Sequence, residues 1–402
     1  MKTGAGSVSH WRRMAAVRKS ESGGRAQGEA TVRVSGKMTG QATGKVTIDD
    51  LRGRIDEINR KLVKLLSDRA KAAHQIGLIK QANGTPVYQP AREREVIERV
   101  LSYNEGPLAG EHLRRIFTEI ISACASLEHP IRVGYLGPEY SYSHEAAVSR
   151  FGNSAELVPE PSFAAIFQAL ENERSDYGLV PVENSTEGAV NLTLDGLIDT
   201  TAVIIGEVLL PIRHALMARP DTESFSRILS HQQSLAQCRT YLAATYPHCE
   251  LEAVASNSLA AKLAAENPVI AAIAPAAAAR GYGLKIIAEN IQDLAHNTTR
   301  FLVLGREPVK RSGNDKTSLL FALPERAGAL HGALSLFARQ HINLTMIQSR
   351  PHRESAWEYV FFVDLEGHRS DPKVARALAA LERRALFLKV LGSYPDGRLA
   401  GA

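Results

Sequence analysis

The sequence predicts a multidomain chain in which an all-α segment, an α/β segment and a smaller α+β segment follow one another. Three changes of pattern predict it. Apolar residues recur at helical spacing from Leu51 to Ile79, short β-type runs alternate with helical stretches from Ile131, and a β-α-β-β-α-β order begins at Ser318. The 402 residues allow about two to four domains with real cores. A hydrophobic content of 44% with 23% charged residues is ordinary for a soluble globular chain. The most apolar stretch, Val269 to Ala279, is interrupted by Pro275 and falls short of the roughly 18 residues a membrane-spanning helix needs.

The net charge of +5 is unevenly placed. Residues 1–45 hold nine Lys/Arg against two Glu, whereas the rest holds 39 basic and 41 acidic residues. The basic character therefore belongs to a Gly/Ser-rich leader, and the body carries no nucleic-acid footprint. The leader reads as a disordered tail, a transit peptide, or an extension upstream of a start at Met38. The last is favoured, because nothing in 1–37 has a core-forming pattern. Cys124, Cys238 and Cys249 lie far apart with no Cys-x-x-Cys pair. That usage points to reducing, cytoplasmic surroundings and against a disulfide framework or a zinc site.

In the first segment, residues 46–129, Thr47 or Asp49 can cap a helix whose stripe runs through Leu51, Ile55, Ile58, Leu62, Leu65, Ala72, Ile76 and Ile79. Arg69 lies seven residues from both Leu62 and Ile76 and so shares their face, and Lys80 returns to it. Two cations on a packing seam call for an anion, supplied either by a ligand or by the chain's own Glu. A helix opening at Pro90 and another over about Gly110 to Glu128 follow. Three helices, one very long, make a poor monomer core but a good half of an intertwined dimer.

Leu51-Arg52 with Ile55-Asp56, Leu65-Leu66 with Arg69, Ile79-Lys80, and Pro86-Val87 with Arg92-Glu93 resemble the all-helical chorismate mutase domain. The resemblance implies that Arg69 and Lys80 bind the carboxylate and ether-oxygen groups of chorismate, that Arg52 crosses from a partner subunit, and that Glu93 holds the substrate hydroxyl. Gln89, Arg92, Cys124 and Glu128 complete the implied substrate contacts. Gln89 stands where Asp is frequent, and Glu128 where Gln is frequent. A Glu donates to the ether oxygen only while protonated, so the mutase rate is expected to rise as pH falls, a dependence that Glu128→Gln removes. The rearrangement is pericyclic and needs a folded substrate and well-placed cations, with no nucleophile.

After Pro130 the second segment, residues 131–308, reads as α/β with mainly parallel sheet, its strands at Ile131 to Leu136, Tyr177 to Val182, Val203 to Leu210, Ala215 to Met217, Arg227 to Ser230 and Val269 to Ile273. Polar clusters fall where such strands end: Ser141 to His144, Glu183-Asn184-Ser185, Ser230-His231 with Gln237, and Asn297-Thr298-Thr299-Arg300. The last reads as a turn that leads into a strand at Phe301 and presents a hydroxyl and a guanidinium. Any one cluster is an ordinary loop. Together they describe a cleft rich in hydroxyl and amide donors with one cation, suited to a small anionic ligand. The Gly134-x-x-Gly137 spacing lacks a dinucleotide-binding turn, and no spacing suggests a metal.

These clusters, with Gly137-Pro138-Glu139, Gln237-Cys238 and Thr299-Arg300-Phe301, resemble prephenate dehydratase. The resemblance implies two α/β lobes of the periplasmic-binding-protein type with the site between them, residues 208–284 forming roughly the second lobe. Thr299 is expected to hydrogen-bond the departing ring hydroxyl, and Arg300 to bind a carboxylate or orient the site. Asn184, Ser230 and Gln237 are expected to hold the rest of prephenate, with Ser141, Tyr142, Ser143 and Glu183 lining it. Tyr140 replaces a customary Gly beside this loop.

The third segment, residues 315–396, has the ferredoxin-like order. Gly328-Ala329-Leu330, Ser349-Arg350-Pro351, Trp357-Glu358-Tyr359 and Lys389-Val390-Leu391-Gly392 resemble an ACT regulatory domain, which implies phenylalanine as effector. Gln348 stands where that motif normally has Glu. The combined reading is a bifunctional chorismate mutase/prephenate dehydratase of phenylalanine biosynthesis, with no cofactor, assembled as a homodimer or tetramer and inhibited by phenylalanine. Arogenate as the second substrate, and a non-catalytic amino-acid sensor, are the rival readings. Retention of Thr299, Arg300, Asn184, Arg69 and Lys80 speaks against the sensor.

Overall fold

The computed structural model describes residues 46–83, 90–127, 130–351 and 359–400. The expectations for the leader, Pro86, Val87, Gln89, Glu128, Trp357 and Glu358 lie outside the described residues. The chain divides into two compact units, Met1–Ser67 and Asp68–Ala402. In the first, helix α1 (Ile48–Ala82) begins at a reciprocal cap. The Asp50 N–H donates to Thr47 Oγ1 at 3.1 Å, and the Thr47 N–H donates to Asp50 Oδ2 at 2.9 Å. The stripe residues Leu51, Ile55, Ile58, Leu62 and Leu65 are exposed.

In the second unit, helices α2 (Pro90–Ser102) and α3 (Gly110–Ser126) precede the α/β elements. These are β1 (Arg132–Leu136), α4 (Tyr142–Phe151), β2 (Glu156–Glu160), α5 (Phe163–Glu171), β3 (Tyr177–Asn184), β4 (Gly188–Ala189), α6 (Asn191–Asp199) and β5 (Val203–Pro211). A second lobe follows: β6 (Ala215–Ala218), β7 (Arg227–Ser230), α7 (Gln232–Gln237), α8 (Arg239–Thr245), β8 (Glu250–Ala253), α9 (Asn257–Glu266), β9 (Ile270–Ala274), α10 (Ala276–Tyr282) and β10 (Lys285–Glu289). Strand β11 (Thr298–Gly305) then returns to the first lobe.

The first sheet has the order β2-β1-β3-β11-β5, with β4 on β3, and the second β10-β6-β9-β7-β8. Neither is mainly parallel, contrary to the reading from sequence. β1 runs parallel to β2 and β3, but β11 is antiparallel to both β3 and β5. The chain leaves the first lobe along β5 and comes back along β11, so these strands run against each other in one sheet. The second sheet is mixed as well, with β6 antiparallel to β9 and β7 parallel to it.

The last elements are β12 (Asp315–Ala322), α11 (Ala329–Ala338), β13 (Leu344–Pro351), β14 (Tyr359–Glu366), α12 (Pro372–Glu382) and β15 (Phe387–Pro395), in a sheet of order β13-β14-β12-β15. One face of this sheet packs under α11 and α12. The other joins the first lobe in a shared core, where Leu320, Val360, Phe362, Leu391 and Tyr394 meet Val182, Ile204, Leu302 and Leu304. Each such buried side chain stabilises by roughly 1.5–3 kcal/mol. The approach is so close that a Cβ at Gly392 would stand 2.1 Å from the Ile204 carbonyl oxygen.

Candidate active sites

Strand β11 pairs on both sides, and β-branched and aromatic residues fill it, so Thr298 and Thr299 are strand residues and not part of a turn. This changes what the motif can do. Neighbours on a strand face opposite ways. Thr299 sits opposite Asn184 in the ladder with β3, and Arg300 opposite Glu183.

On the Thr299 face, the Asn184 amide donates from Nδ2 to Thr299 Oγ1 and to Asn297 Oδ1, both at 2.8 Å. Asn184 Oδ1 accepts the N–H groups of Thr186 at 3.0 Å and Glu187 at 3.1 Å, which fixes the orientation of the amide. Asn297 Nδ2 donates to Gln237 Oε1 at 3.0 Å, which ties the end of α7 in the second lobe to the first lobe. His214 Nε2 lies 2.8 Å from Gln237 Oε1, and His214 Nδ1 lies 2.7 Å from the Tyr142 hydroxyl. Asn297, Thr299 and His214 are all buried. Burial lowers the pKa of His214, opposed by the Gln237 hydrogen bond, and raises that of Tyr142 well above the usual phenol range.

The structure therefore brings Asn184, Thr299, Gln237 and Tyr142 into one network. Asn297 and His214 belong to it too, and the sequence reading assigned neither a role. Asn297 was within reach, because it lies two residues before Thr299, the spacing at which side chains of an extended chain share a side. His214 gave no local signal. Ser141 caps α4, accepting the His144 N–H at 3.3 Å, and Ser143 is buried on that helix. Ser230 lies in a different cluster, with its Oγ 2.7 Å from the Ile273 carbonyl and 2.9 Å from Asn257 Oδ1.

Arg300 faces away from the cleft. Its Nε donates to Glu207 Oε2 at 2.6 Å, its Nη2 to the Tyr394 hydroxyl at 2.9 Å, and its Nη1 pairs with Asp364 Oδ2 at 2.5 Å. Glu183 Oε2 lies 4.0 Å from the same Nη1. Burial alone works against the guanidinium charge, but Tyr394, Asp364 and Glu207 reverse this, and the net shift of its pKa is upward. Lys316 Nζ completes the cluster at 2.8 Å from Glu207 Oε1. The expectation of a carboxylate grip by Arg300 thus does not fit this geometry: its donors are taken up by Glu207 of β5 and by Asp364 and Tyr394 of the third segment.

Tyr140 keeps the backbone a glycine would adopt, with φ at 61°. Its ring packs edge-on against His144 and Tyr282 at centroid distances of 5.6 and 5.3 Å. A Cβ at Gly281 would meet this ring at 2.4 Å, so the side chain bridges the first-lobe loop to α10 of the second lobe.

In the helical segment, Arg69 Nη1 lies 2.9 Å from Cys124 Sγ and 3.5 Å from the Ile120 carbonyl, linking α1 to α3. Glu93 lies 3.3 Å from Arg150 of α4 and also feels the charge of Lys80. Burial raises the pKa of Glu93, with Arg150 and Lys80 pulling it back. Arg92 pairs with Glu95, and Arg52 with Asp49, both on exposed faces.

In the third segment, Gly328 has φ of +76° at the start of α11, which Ala329 and Leu330 open, while Gln348, Ser349, Arg350 and Pro351 lie along the edge strand β13. Arg350 is joined to Asp195 of α6 at 2.6 Å. Lys389 donates to the carbonyls of Leu197, Ile198 and Thr200 at 3.2, 2.9 and 2.6 Å, satisfying the C-terminal end of α6. Among the described residues, no group of three or more His, Cys, Asp or Glu is gathered as a metal site requires, and no helix is long and apolar enough to cross a membrane.

Comparison with known proteins fits this division. The family profiles for chorismate mutase type II, prephenate dehydratase and the ACT domain match residues 51–129, 133–309 and 317–383. The bifunctional chorismate mutase/prephenate dehydratase of Aquifex aeolicus (strain VF5) is 44% identical over 357 residues, covering 88% of this chain and 99% of the relative. That of Neisseria gonorrhoeae is 43% identical over 361 residues, with the same coverage of both chains. The solved prephenate dehydratase of Arthrobacter aurescens in complex with L-Phe superposes with a TM-score of 0.62 at 32% identity, covering 67% of this chain and 91% of that one. The chain belongs to the bifunctional chorismate mutase/prephenate dehydratase family and is an enzyme of both activities.

Proposed function

We propose that the chain converts chorismate to prephenate in its helical segment and prephenate to phenylpyruvate, carbon dioxide and water in its two-lobed segment, in the cytoplasmic synthesis of phenylalanine. The observation that carries the second step is the Asn184–Thr299 hydrogen bond. Thr299 Oγ1 already accepts from Asn184, so its own proton is free to point into the cleft. Loss of carboxylate and hydroxide together aromatises the ring, and the enzyme must chiefly stabilise the departing hydroxide. A threonine hydroxyl is too weak an acid to surrender its proton fully, so it acts as a pre-positioned donor. Gln237, Ser141, Ser143 and the N-terminal N–H groups of α4 supply donors for prephenate carboxylates. Ser230 supports the second-lobe wall, and Arg300 orients β11 from behind.

For the first step, Arg69, Lys80 and Glu93 form the part of the chorismate site contributed by one subunit, and the exposed stripe of α1 supports a homodimer in which Arg52 reaches the partner's site. Ionised Glu93 accepts the substrate hydroxyl. Arg150→Ala removes the larger charge effect holding its pKa down, so the acidic limb of the mutase pH profile should move to higher pH. An unmoved limb in initial-rate profiles would remove Glu93 from this role.

Phenylalanine is the proposed effector of the third segment, supported by the L-Phe complex of the Arthrobacter aurescens relative. One assay tests the whole reading: supply chorismate and follow prephenate and phenylpyruvate separately, with and without phenylalanine. Both products should appear in sequence, the second suppressed by the effector. A dehydratase rate unchanged at millimolar phenylalanine, with no binding, refutes the regulatory part.

A further inference from the structure

We propose that His214 is a positioning residue of the dehydratase site, acting through the amide of Gln237 on the Asn297–Asn184–Thr299 chain. Four polar side chains in this network have two chemically different ends, and each must present the right one. Nothing in an Asn or Gln side chain chooses between its ends, so the choice has to be imposed by partners.

One end of the chain is imposed by backbone. The Asn184 carbonyl oxygen takes the N–H groups of Thr186 and Glu187, which leaves its NH2 for Thr299 and Asn297. The other end is imposed by His214. Its ring is 1% exposed and wedged between Tyr142 of α4 and Gln237 of α7. Burial favours the neutral ring. With the proton on Nε2, Nε2–H donates to Gln237 Oε1 at 2.8 Å and Nδ1 faces, at 2.7 Å, the Tyr142 hydroxyl, whose single proton is shared between Nδ1 and the Arg213 carbonyl 2.9 Å away. Gln237 Oε1 is then the acceptor that also receives Asn297 Nδ2, and the Gln237 NH2 is turned out toward Thr186 Oγ1 and Glu187 Oε1, each 3.4 Å away. Those long contacts leave the NH2 available to an anionic group in the cleft.

Without a donor at position 214, Gln237 can turn over. It would then offer an NH2 to the NH2 of Asn297 and an oxygen to the substrate carboxylate, both repulsive. The network also crosses from the second lobe to the first, so it sets the spacing of the two walls at Thr299. No neighbouring sequence feature marks this residue, since Tyr142, His214, Gln237 and Asn297 are brought together only by the fold.

The proposal rests on the assignment of the Asn184–Thr299 pair to dehydration, and the experiment separates the two. In the full-length enzyme, His214→Phe should lower dehydratase kcat roughly 10- to 100-fold, the size of a misplaced but present catalytic group. His214→Gln, which retains an N–H donor, should recover most of it. Tyr142→Phe, which removes only the hydroxyl that locks the ring, should give a smaller loss in the same parameter. In a Gln237→Ala background, His214→Phe should cost nothing further, because the group it acts on is gone. The far-UV spectrum and urea midpoint of each preparation report that the two-lobed segment is folded. An unchanged kcat in His214→Phe overturns the proposal, as does an equal loss with and without Gln237, which would mark simple packing. A Thr299→Ala enzyme that keeps its dehydratase rate instead overturns the underlying assignment, whatever His214 does.

Discussion

Thr299→Ala should leave an enzyme that makes prephenate and stops there. Removing one pre-positioned donor to developing negative charge costs about 10²–10³ in turnover in sites of this kind. Here the loss falls only on the second reaction, since Thr299 lies in the two-lobed segment and the mutase residues do not depend on it. Supplied with chorismate, the variant should accumulate prephenate at the wild-type initial rate while phenylpyruvate all but disappears. Thr299→Ser keeps the hydroxyl and should retain most of the activity. Phenylpyruvate at wild-type rate from the Ala variant would remove Thr299 from the chemistry and leave Asn184 as part of a structural pair.

Arg300→Leu should produce the largest loss of stability of any single substitution on the same strand. The guanidinium is the cation shared by Glu207 and Asp364, both buried, and its removal strands the carboxylate of Asp364 without a cationic partner. Breaking a buried pair on one side costs about 3–5 kcal/mol, because the surviving charge cannot be rehydrated. A fall in the urea midpoint measures it. The double variant Arg300→Leu with Asp364→Leu should recover part of the loss, because it replaces a stranded charge with apolar contact in a core that already holds Leu302 and Phe362. An unchanged midpoint in the single variant would mean that Glu207 is satisfied by Lys316 alone and that Asp364 takes up a proton.

The contrast between Thr299 and Arg300 shows how far the sequence could be read. That both stand among polar clusters gathered at strand ends was legible from the sequence. That they act on opposite sides of one sheet was not, because Asn297-Thr298-Thr299 has the composition of a turn. What made it strand was pairing with β3 and β5, partners more than a hundred and nearly ninety residues away in sequence. The same limit hid His214, whose partners come from α4 and α7. The Thr47 cap, the opening of α2 at Pro90 and the β-α-β-β-α-β order were legible, because each is written in residues a few positions apart. The left-handed backbone at Tyr140 was legible only as a substitution. The reason it is tolerated, a ring seated on Gly281, needed the second lobe in place.

The core shared by β12, β14 and β15 with the first lobe has a practical consequence for anyone who would remove the third segment. Cutting the chain after residue 310 is the obvious edit, and it is the poorer one. It would uncover Val182, Ile204, Leu302 and Leu304 to water, take Lys316 away from Glu207 and Asp364 away from Arg300, and leave the end of α6 without Lys389. A truncated product would present a sticky apolar wall and would be selected against by precipitation long before its kinetics could be compared. Edits confined to the loop at Gly328 or the edge strand at Gln348 leave that wall covered, and are the safer way to alter this segment.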